Sequence, residues 1–468
     1  MRQLFLASTY FQVVCLSAGI EAGEYDRTPT LTVGGEPVDL VPYTPADERV
    51  LVLSDNAQVV EFARDLREAP GLGPALSSFD RVVKLNDVVA PNHPSSWRPE
   101  DRDLPVLERL LRAHWELGDD EVELVLESPQ VNPAIALARI FHDALIRIHS
   151  DGLMSYGPTR NVVPLGNGQR TTVLHHLPLV DGVRPRLLDE YGIEPWPLDP
   201  DHFRAAVARV AEAIPDELAP LAGLDAGSTA LAVGQYLAAL GLLSPTEEDD
   251  LHREMIARAA EAGMRTVVFK PHPAAPPASR TVLERAAADH GVDLLVLDTP
   301  AIAEAVLHVL RPALVVGGFS TLLATARAFY EVPARAVGTD LVLERIVPFQ
   351  NSNRIPATLI GEIADGTTDP IDADRARDLQ ALVDAVGYAM LPEVVPHFRD
   401  RAEEYLRTAL DTDRMRYFRR RRLQALDLPG APRPRGVKGR LRAGAVEAYR
   451  TARFVRHGIR VDRRKPQE

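Results

Sequence analysis

Short runs of β-branched and other apolar residues alternate along the chain with longer stretches whose apolar positions recur every three to four residues. The short runs predict strands at 4–7, 50–53, 82–85, 123–126 and 145–148, and the longer ones predict helices near 10–22, 57–68, 104–117 and 133–143. Strand followed by helix, repeated, is the pattern of a parallel sheet with helices on its faces. A helical stretch at 202–213 and a Pro- and Gly-bearing segment at 214–228, read as an interdomain linker, interrupt it. The alternation then restarts, with strands predicted at 230–233, 266–269, 294–297, 313–316 and 334–337 and helices near 249–262, 279–289, 301–309 and 320–330. The pattern therefore predicts two α/β domains in series, 1–214 and 228–395, followed by C-terminal helices and a basic tail over 396–468.

Composition changes this picture by exclusion. The 468 residues are 46% hydrophobic and 25% charged, with no run of 18 consecutive apolar residues, which excludes wholesale disorder and a membrane-spanning helix. A single cysteine, Cys15, leaves no intramolecular disulfide and no cysteine cluster for structural zinc. The opening residues lack the features of a signal peptide, so the expected location is the cytoplasm.

The net charge of −13 is unevenly spread. Residues 414–468 hold 18 Lys plus Arg against 4 Asp plus Glu, a net of +14, which leaves −27 on residues 1–413. An acidic body repels nucleic-acid backbones, so nucleic acid is not an expected partner. In the tail, Leu441, Ala445, Ala448, Tyr449, Ala452, Val455 and Ile459 recur at helical spacing among arginines. The expectations for residues 414–468 are attachment to an anionic membrane surface or, more plainly, a solvated tail or one docked on the protein's own acidic body.

Ligands of open α/β sheets bind outside the carboxyl ends of the strands, so the loops that follow strands are searched for chemistry. In the second half, TVVFK runs into Pro271, His272 and Pro273, which hold an imidazole at a strand end where it can donate to a phosphate and, if protonated, add charge. Lys270 precedes it, one of only four lysines in a chain that otherwise uses arginine. In ALVVGGFST, Gly317 and Gly318 permit close backbone approach, while Ser320 and Thr321 open a helix whose N-terminus suits an anion of monophosphate size. Gly234 and Gln235 end another strand and can bring a backbone N–H to a phosphate. In the first half, Asp151 and Gly152 follow a strand, where a carboxylate can take a proton from an acceptor hydroxyl.

Each of these features has a plainer counterpart. His93-Pro94, Asp181-Gly182, Asp365-Gly366, Ser77-Ser78 and Ser95-Ser96 repeat the same dipeptides in other loops, where a turn or cap explains them. Asp199-Pro200-Asp201 matches a DxD metal pattern, but Asp201 reads as a helix cap, and His175-His176 read as opposite faces of a strand. No metal site is expected.

Asp151-Gly152, Gly234-Gln235, His272-Pro273 and Ser320-Thr321 follow the order of the acidic-Gly, His-Pro and Ser-Ser/Thr motifs of bacterial sialyltransferases. The chain most resembles the bacterial alpha-2,8-polysialyltransferase family that works on capsular polysaccharide. Its N-terminal strand, running into Ser8, Thr9 and a helix carrying Gln12, resembles that family's start. The resemblance implies a GT-B fold of two facing Rossmann-like domains and metal-independent, inverting transfer of sialic acid from CMP-sialic acid to a glycan. It further implies Asp151 as general base, His272 as the contact to the donor phosphate, and Ser320 and Thr321 as its holders, with no cofactor beyond the donor. One departure stands out: the family's first motif often carries two acidic residues before the glycine, and here Ser150 precedes Asp151. The alternatives are a CDP-glycerol type glycerophosphotransferase and a non-catalytic nucleotide- or glycan-binding relative.

Overall fold

A computed structural model describes residues 1–33, 36–39, 45–56, 65–272 and 280–431. It contains two parallel sheets whose central strands are buried on both faces. The first is built from β1 (Arg2–Ala7), β4 (Glu48–Leu53), β5 (Arg81–Lys84), β6 (Val122–Leu126), β7 (Leu145–Ser150), β8 (Thr171–His176) and β9 (Glu194–Pro197), in the order β5-β4-β1-β6-β7-β8-β9. A short antiparallel hairpin, β2 (Thr30–Val33) and β3 (Glu36–Asp39), leaves the sheet after β1. The second sheet contains β10 (Thr229–Val233), β11 (Thr266–Lys270), β12 (Asp293–Val296), β13 (Leu314–Gly317) and β14 (Ala334–Ala336), in the order β12-β11-β10-β13-β14.

Both sheets run outward from a central first strand, return, and run outward on the other side. The reversal falls between β1 and β6 in the first sheet and between β10 and β13 in the second. Such switch points open a crevice at the carboxyl edge, because the helices on either side leave in opposite directions. This is the architecture of the GT-B class, two Rossmann-like parallel-sheet domains in series.

Alternation of side chains along β1 and β4 sends Leu4, Leu6, Val50 and Val52 into one core layer with Leu124, Ile146 and Trp115, all buried. The other face packs on the helix Tyr10–Glu21, whose Val13, Val14, Cys15 and Leu16 are buried. The helix Pro200–Glu212 packs against both Tyr10–Glu21 and the helix Ala303–Leu310 of the second sheet. Phe203 is fully buried at this junction, with its ring 5.9 Å from Phe11 and 5.1 Å from Phe329. Aromatic burial thus ties the two sheets together within one compact unit of residues 1–347 and 351–380.

The second compact unit, residues 348–350 and 381 onward, is helical where it is described, with Arg399–Ala409 and Arg420–Ala425. In it Arg422 donates to the carbonyls of Ala389 (2.6 Å) and Met390 (3.0 Å). That contact satisfies the terminal carbonyls of the helix Ala373–Met390. Tyr417 and Leu423 are buried beside it, so the start of the arginine-rich region is part of the fold.

Several expectations change. The linker at 214–228 holds short helical turns, Pro215–Leu218, Ala219–Leu221 and Ala226–Ser228. β8 and β9 extend the first sheet beyond the expected five strands; β9 is Pro-rich, which suits an edge strand lacking some backbone donors. Asp201 is not the helix cap: Asp199 accepts from the backbone N–H groups of Asp201 (2.8 Å) and His202 (2.9 Å), because Pro200 occupies the first helical turn. The expected helix near 57–68 falls in part on residues outside the described ones, as do Pro273 and the tail from 432, including the amphipathic stretch 438–460.

Candidate active site

At the first sheet's carboxyl edge, Ser8, Glu127 and Asp151 directly follow β1, β6 and β7, three neighbouring strands. Ser8 N–H donates to Gln12 Oε1 (2.8 Å), and Ser8 Oγ donates to Glu127 Oε2 (2.5 Å). Thr9 caps the following helix by accepting from Gln12 N–H (3.2 Å), which fixes Gln12 over the strand end. Burial pushes Asp151 above the usual carboxylate range. Burial also pushes Glu127 up to about 7, reinforced by the charge of Asp151 and opposed by the hydrogen bonds from Ser8 and Gln12.

A third carboxylate reaches the same place from the second sheet. Glu304, in the first turn of Ala303–Leu310, is pushed up to about 7 by burial and by Asp151, while Lys270 opposes the shift. Cys15, in the opposite helix, is raised by burial and then by Asp151 and Glu304. Burial raises the proton affinity of Asp151, and its charge in turn adds to that of Glu127, Glu304 and Cys15.

The second sheet's carboxyl edge carries the groups expected to meet an anion. Ser320 is the N-cap of Thr321–Tyr330, accepting from Leu322 N–H (3.3 Å). Thr321 N–H, the first of this helix, has no partner among the described residues. His272 follows Lys270 and Pro271 at the end of β11 and stacks on Tyr236, with centroids 4.0 Å apart and planes at 29°. Burial and the charge of Lys270 lower His272 to about 4, so it is a neutral imidazole at physiological pH and adds no charge. Lys270 is buried and lowered to about 8 by burial; its Nζ donates to Thr299 O (2.7 Å) and Pro271 O (3.2 Å).

The glycines serve internal packing more than ligand approach. A Cβ on Gly317 would lie 2.8 Å from Val233 Cγ2, and one on Gly318 would lie 3.2 Å from Gln235 Oε1. Gly234 N–H donates to Lys270 O (2.9 Å) and Gln235 N–H to His252 Nε2 (3.4 Å), so both backbone donors of that loop are satisfied internally. Of this pair, the Gln235 side chain beside Gly318 is the group left to meet a donor.

The two edges meet at Gly152 and Thr321. A Cβ built on Gly152 would lie 3.3 Å from Thr321 Oγ1, which brings the acidic loop of the first sheet directly against the helix N-terminus of the second. Asp151, Gly152, Ser320 and Thr321 are therefore joined in one place, with Gln235 beside Gly318 and His272 and Lys270 on the same sheet edge.

The matching dipeptides elsewhere are turns and caps. Asp365 accepts from Thr367 N–H and Oγ1 beside Gly366, whose φ is +92°. His93 caps a short turn by accepting from Ser95 N–H (3.3 Å), and Gly182 has a φ of +70°. A cavity of about 630 Å³ lies at the opposite, amino edge of the first sheet, lined by Arg112, Asp119, Asp120 and Arg147 among others. It is remote from all of the strand-end groups above.

A family model described as Alpha-2,8-polysialyltransferase (POLYST) matches residues 3–339, which span both sheets and every strand-end group above. The chain belongs to the alpha-2,8-polysialyltransferase family. It is therefore a glycosyltransferase, a class that takes a nucleotide-sugar donor and a glycan acceptor. No curated protein sequence matches it. Among solved structures it is similar to the UDP-GlcNAc 2-epimerase from Methanocaldococcus jannaschii, at 12% identity and TM-score 0.42, covering 81% of this chain and 91% of the epimerase. It is also similar to MurG of Acinetobacter baumannii, at 12% identity and TM-score 0.38, covering 86% of this chain and 94% of MurG. At these scores the similarities carry no argument about chemistry.

Glu127 and Glu304 were absent from the sequence-based candidates, and both had a signal. Glu127 directly follows the strand VELVL, and Glu304 is the lone charge in the apolar helix AEAVLHVL. Tyr236, which sets the plane of His272, follows the Gly234-Gln235 pair and carried no signal of its own.

Proposed function

We propose that this glycosyltransferase moves sialic acid from CMP-sialic acid to a glycan hydroxyl, with inversion at the anomeric carbon and without a metal ion. The observation that carries the reading is the approach of Gly152 to Thr321, which sets a carboxylate of raised proton affinity against a helix N-terminus with an open N–H. In the reaction Asp151 takes the acceptor hydroxyl's proton as the oxygen attacks the anomeric carbon. The bond from that carbon to the phosphate oxygen breaks with its electron pair leaving on CMP. The charge growing on that oxygen is met by the helix N-terminus, the Ser320 and Thr321 hydroxyls and a neutral His272 donor.

A monophosphate leaving group suits this set, which offers one helix end and one imidazole. Asp199 is occupied as a helix cap and pairs with His202, and Asp201 pairs with Arg204, which supports the metal-free reading. The Arg-rich residues 414–468 are proposed to hold the enzyme at an anionic membrane surface on the cytoplasmic side. Among the described residues no helix is long and apolar enough to cross a membrane.

The test is a donor screen in EDTA with CMP-sialic acid, CDP-glycerol and UDP-sugars. CMP release from CMP-sialic acid, dependent on acceptor and unaffected by chelation, is expected. Release from another donor alone, or activity restored only by Mg²⁺ or Mn²⁺, overturns the reading.

A further inference from the structure

Asp151 and Gly152 follow β7 and run straight into one helical turn, Leu153–Tyr156. A turn this short has too few internal hydrogen bonds to hold itself, so its shape must come from partners around it. Leu153, Ser155 and Tyr156 are buried, Ser155 to 1% exposure. Ser155 is the residue on which the ties converge. Its hydroxyl and its N–H both donate to the carbonyl of Gly152, at 3.0 and 3.3 Å. Its own carbonyl accepts from the N–H groups of Arg186 (2.9 Å) and Leu187 (3.0 Å). Those two residues belong to the segment after β8, the strand that pairs with β7. The Tyr156 hydroxyl makes a parallel tie, accepting from Leu179 N–H (3.0 Å) and Val180 N–H (3.2 Å) of the same segment. From the other side the helix Arg354–Ile363 closes on the turn, where a Cβ on Gly157 would lie 2.9 Å from Ile355 Cγ1.

Gly152 is the weak point of this loop. It is extended, with φ −147° and ψ 177°, and it has no side chain to restrict its backbone, so the hydrogen bonds on its carbonyl are what hold it. It is also the residue that meets Thr321 Oγ1 where the two sheet edges join. A rotation at Gly152 would swing the Asp151 carboxylate away from the helix N-terminus it faces.

We propose that Ser155 is a positioning residue for the base: its hydroxyl, by holding the Gly152 carbonyl, fixes where Asp151 stands against Thr321. The proposal rests on Asp151 acting as the base. Ser155 is buried and acts through the backbone of Gly152, so it takes no part in the proton transfer itself.

The test is a kinetic cycle on the full chain with the donor that supports transfer, CMP-sialic acid on the present reading. Wild type, Ser155→Ala, Asp151→Asn and the double variant are compared. Ser155→Ala keeps the N–H bond to Gly152 and every backbone tie. It should lower kcat by about tenfold through a displaced base, while the donor KM and CMP affinity stay within about twofold of wild type. In the Asp151→Asn background, where no base is left to misplace, the same substitution should change transfer by less than about twofold. A merely structural serine gives equal losses in both backgrounds, and that result overturns the proposal. So does a wild-type kcat in Ser155→Ala, or a donor KM that rises as kcat falls. Should melting curves show Ser155→Ala unfolded, Ser155→Cys makes the same comparison, since it keeps a side chain there but only a weak donor, and the same losses are expected. Near-normal turnover in Asp151→Asn is the separate failure: it removes the base assignment, and the proposal with it, whatever Ser155→Ala does.

Discussion

The two sheet edges that meet at Gly152 and Thr321 differ in charge chemistry and are changed by burial toward the same end. On one side are acids, Glu127 and Asp151 with Glu304 reaching in, all raised. On the other are bases, His272 lowered to about 4 and Lys270 to about 8, the latter spent on two carbonyls. Desolvation disfavours charge of either sign, so burial weakens the hold on charge at both edges. The difference teaches where the phosphate's counter-charge comes from. On the proposed function it comes from dipoles and hydrogen-bond donors fixed by the fold, which act as charge develops in the reaction.

The largest expected effect tests the acidic side. Asp151→Asn should lower transfer by about 10² to 10⁴-fold, the usual worth of a general base, while CMP affinity measured by calorimetry stays within a few-fold of wild type. Near-normal turnover, with Asp181→Asn or Asp365→Asn inactive instead, breaks the assignment. Next comes the seam itself. Gly152→Ala places a Cβ against Thr321 Oγ1 and should slow transfer by about tenfold through displacement of the base, with partial recovery in Gly152→Ala/Thr321→Ala. Equal defects in the single and double variants would mean that the two loops do not act on each other.

A smaller effect sharpens the basic side. His272→Ala should weaken CMP binding by several-fold, about 1 kcal/mol for one hydrogen bond from a neutral donor. Because the ring titrates near 4, the ratio of wild-type to variant affinity should be flat from pH 5.5 to 8. A ratio that climbs on acidification through 6.5 would show an imidazolium instead. The smallest effect on chemistry concerns the tail. Truncation after Ala431 keeps the buried Tyr417 and Leu423 and should leave transfer to a soluble acceptor unchanged, yet abolish co-sedimentation with anionic vesicles at low salt. Equal pelleting of both proteins removes the membrane role.

The sheet strands at the heart of both domains were legible because buried parallel strands are short apolar runs with no competing pattern. β8 was read only through His175-His176 as opposite faces of a strand, since TTVLHH carries two histidines and two threonines, and β9 was not read at all, since EPWP carries two prolines. The site was legible as loops, since the strand-end rule finds Asp151, His272 and Ser320 without any contact information. It could not show that Gly234 and Gln235 spend their N–H groups on Lys270 and His252, nor that burial strips His272 of charge. Those outcomes depend on partners distant in sequence. Glu304 lies 153 residues from Asp151, and only folding makes them neighbours.

The central claim is that the first edge holds the base and the second holds the donor phosphate. The most direct measurement is a crystal structure with CMP bound. The account predicts the phosphate within hydrogen-bonding distance of Thr321 N–H, the Ser320 or Thr321 hydroxyl and the His272 ring, with the Asp151 carboxylate facing the open side. A phosphate seated at the amino edge of the first sheet, or bridged by a metal ion to Asp199 and Asp201, would contradict it.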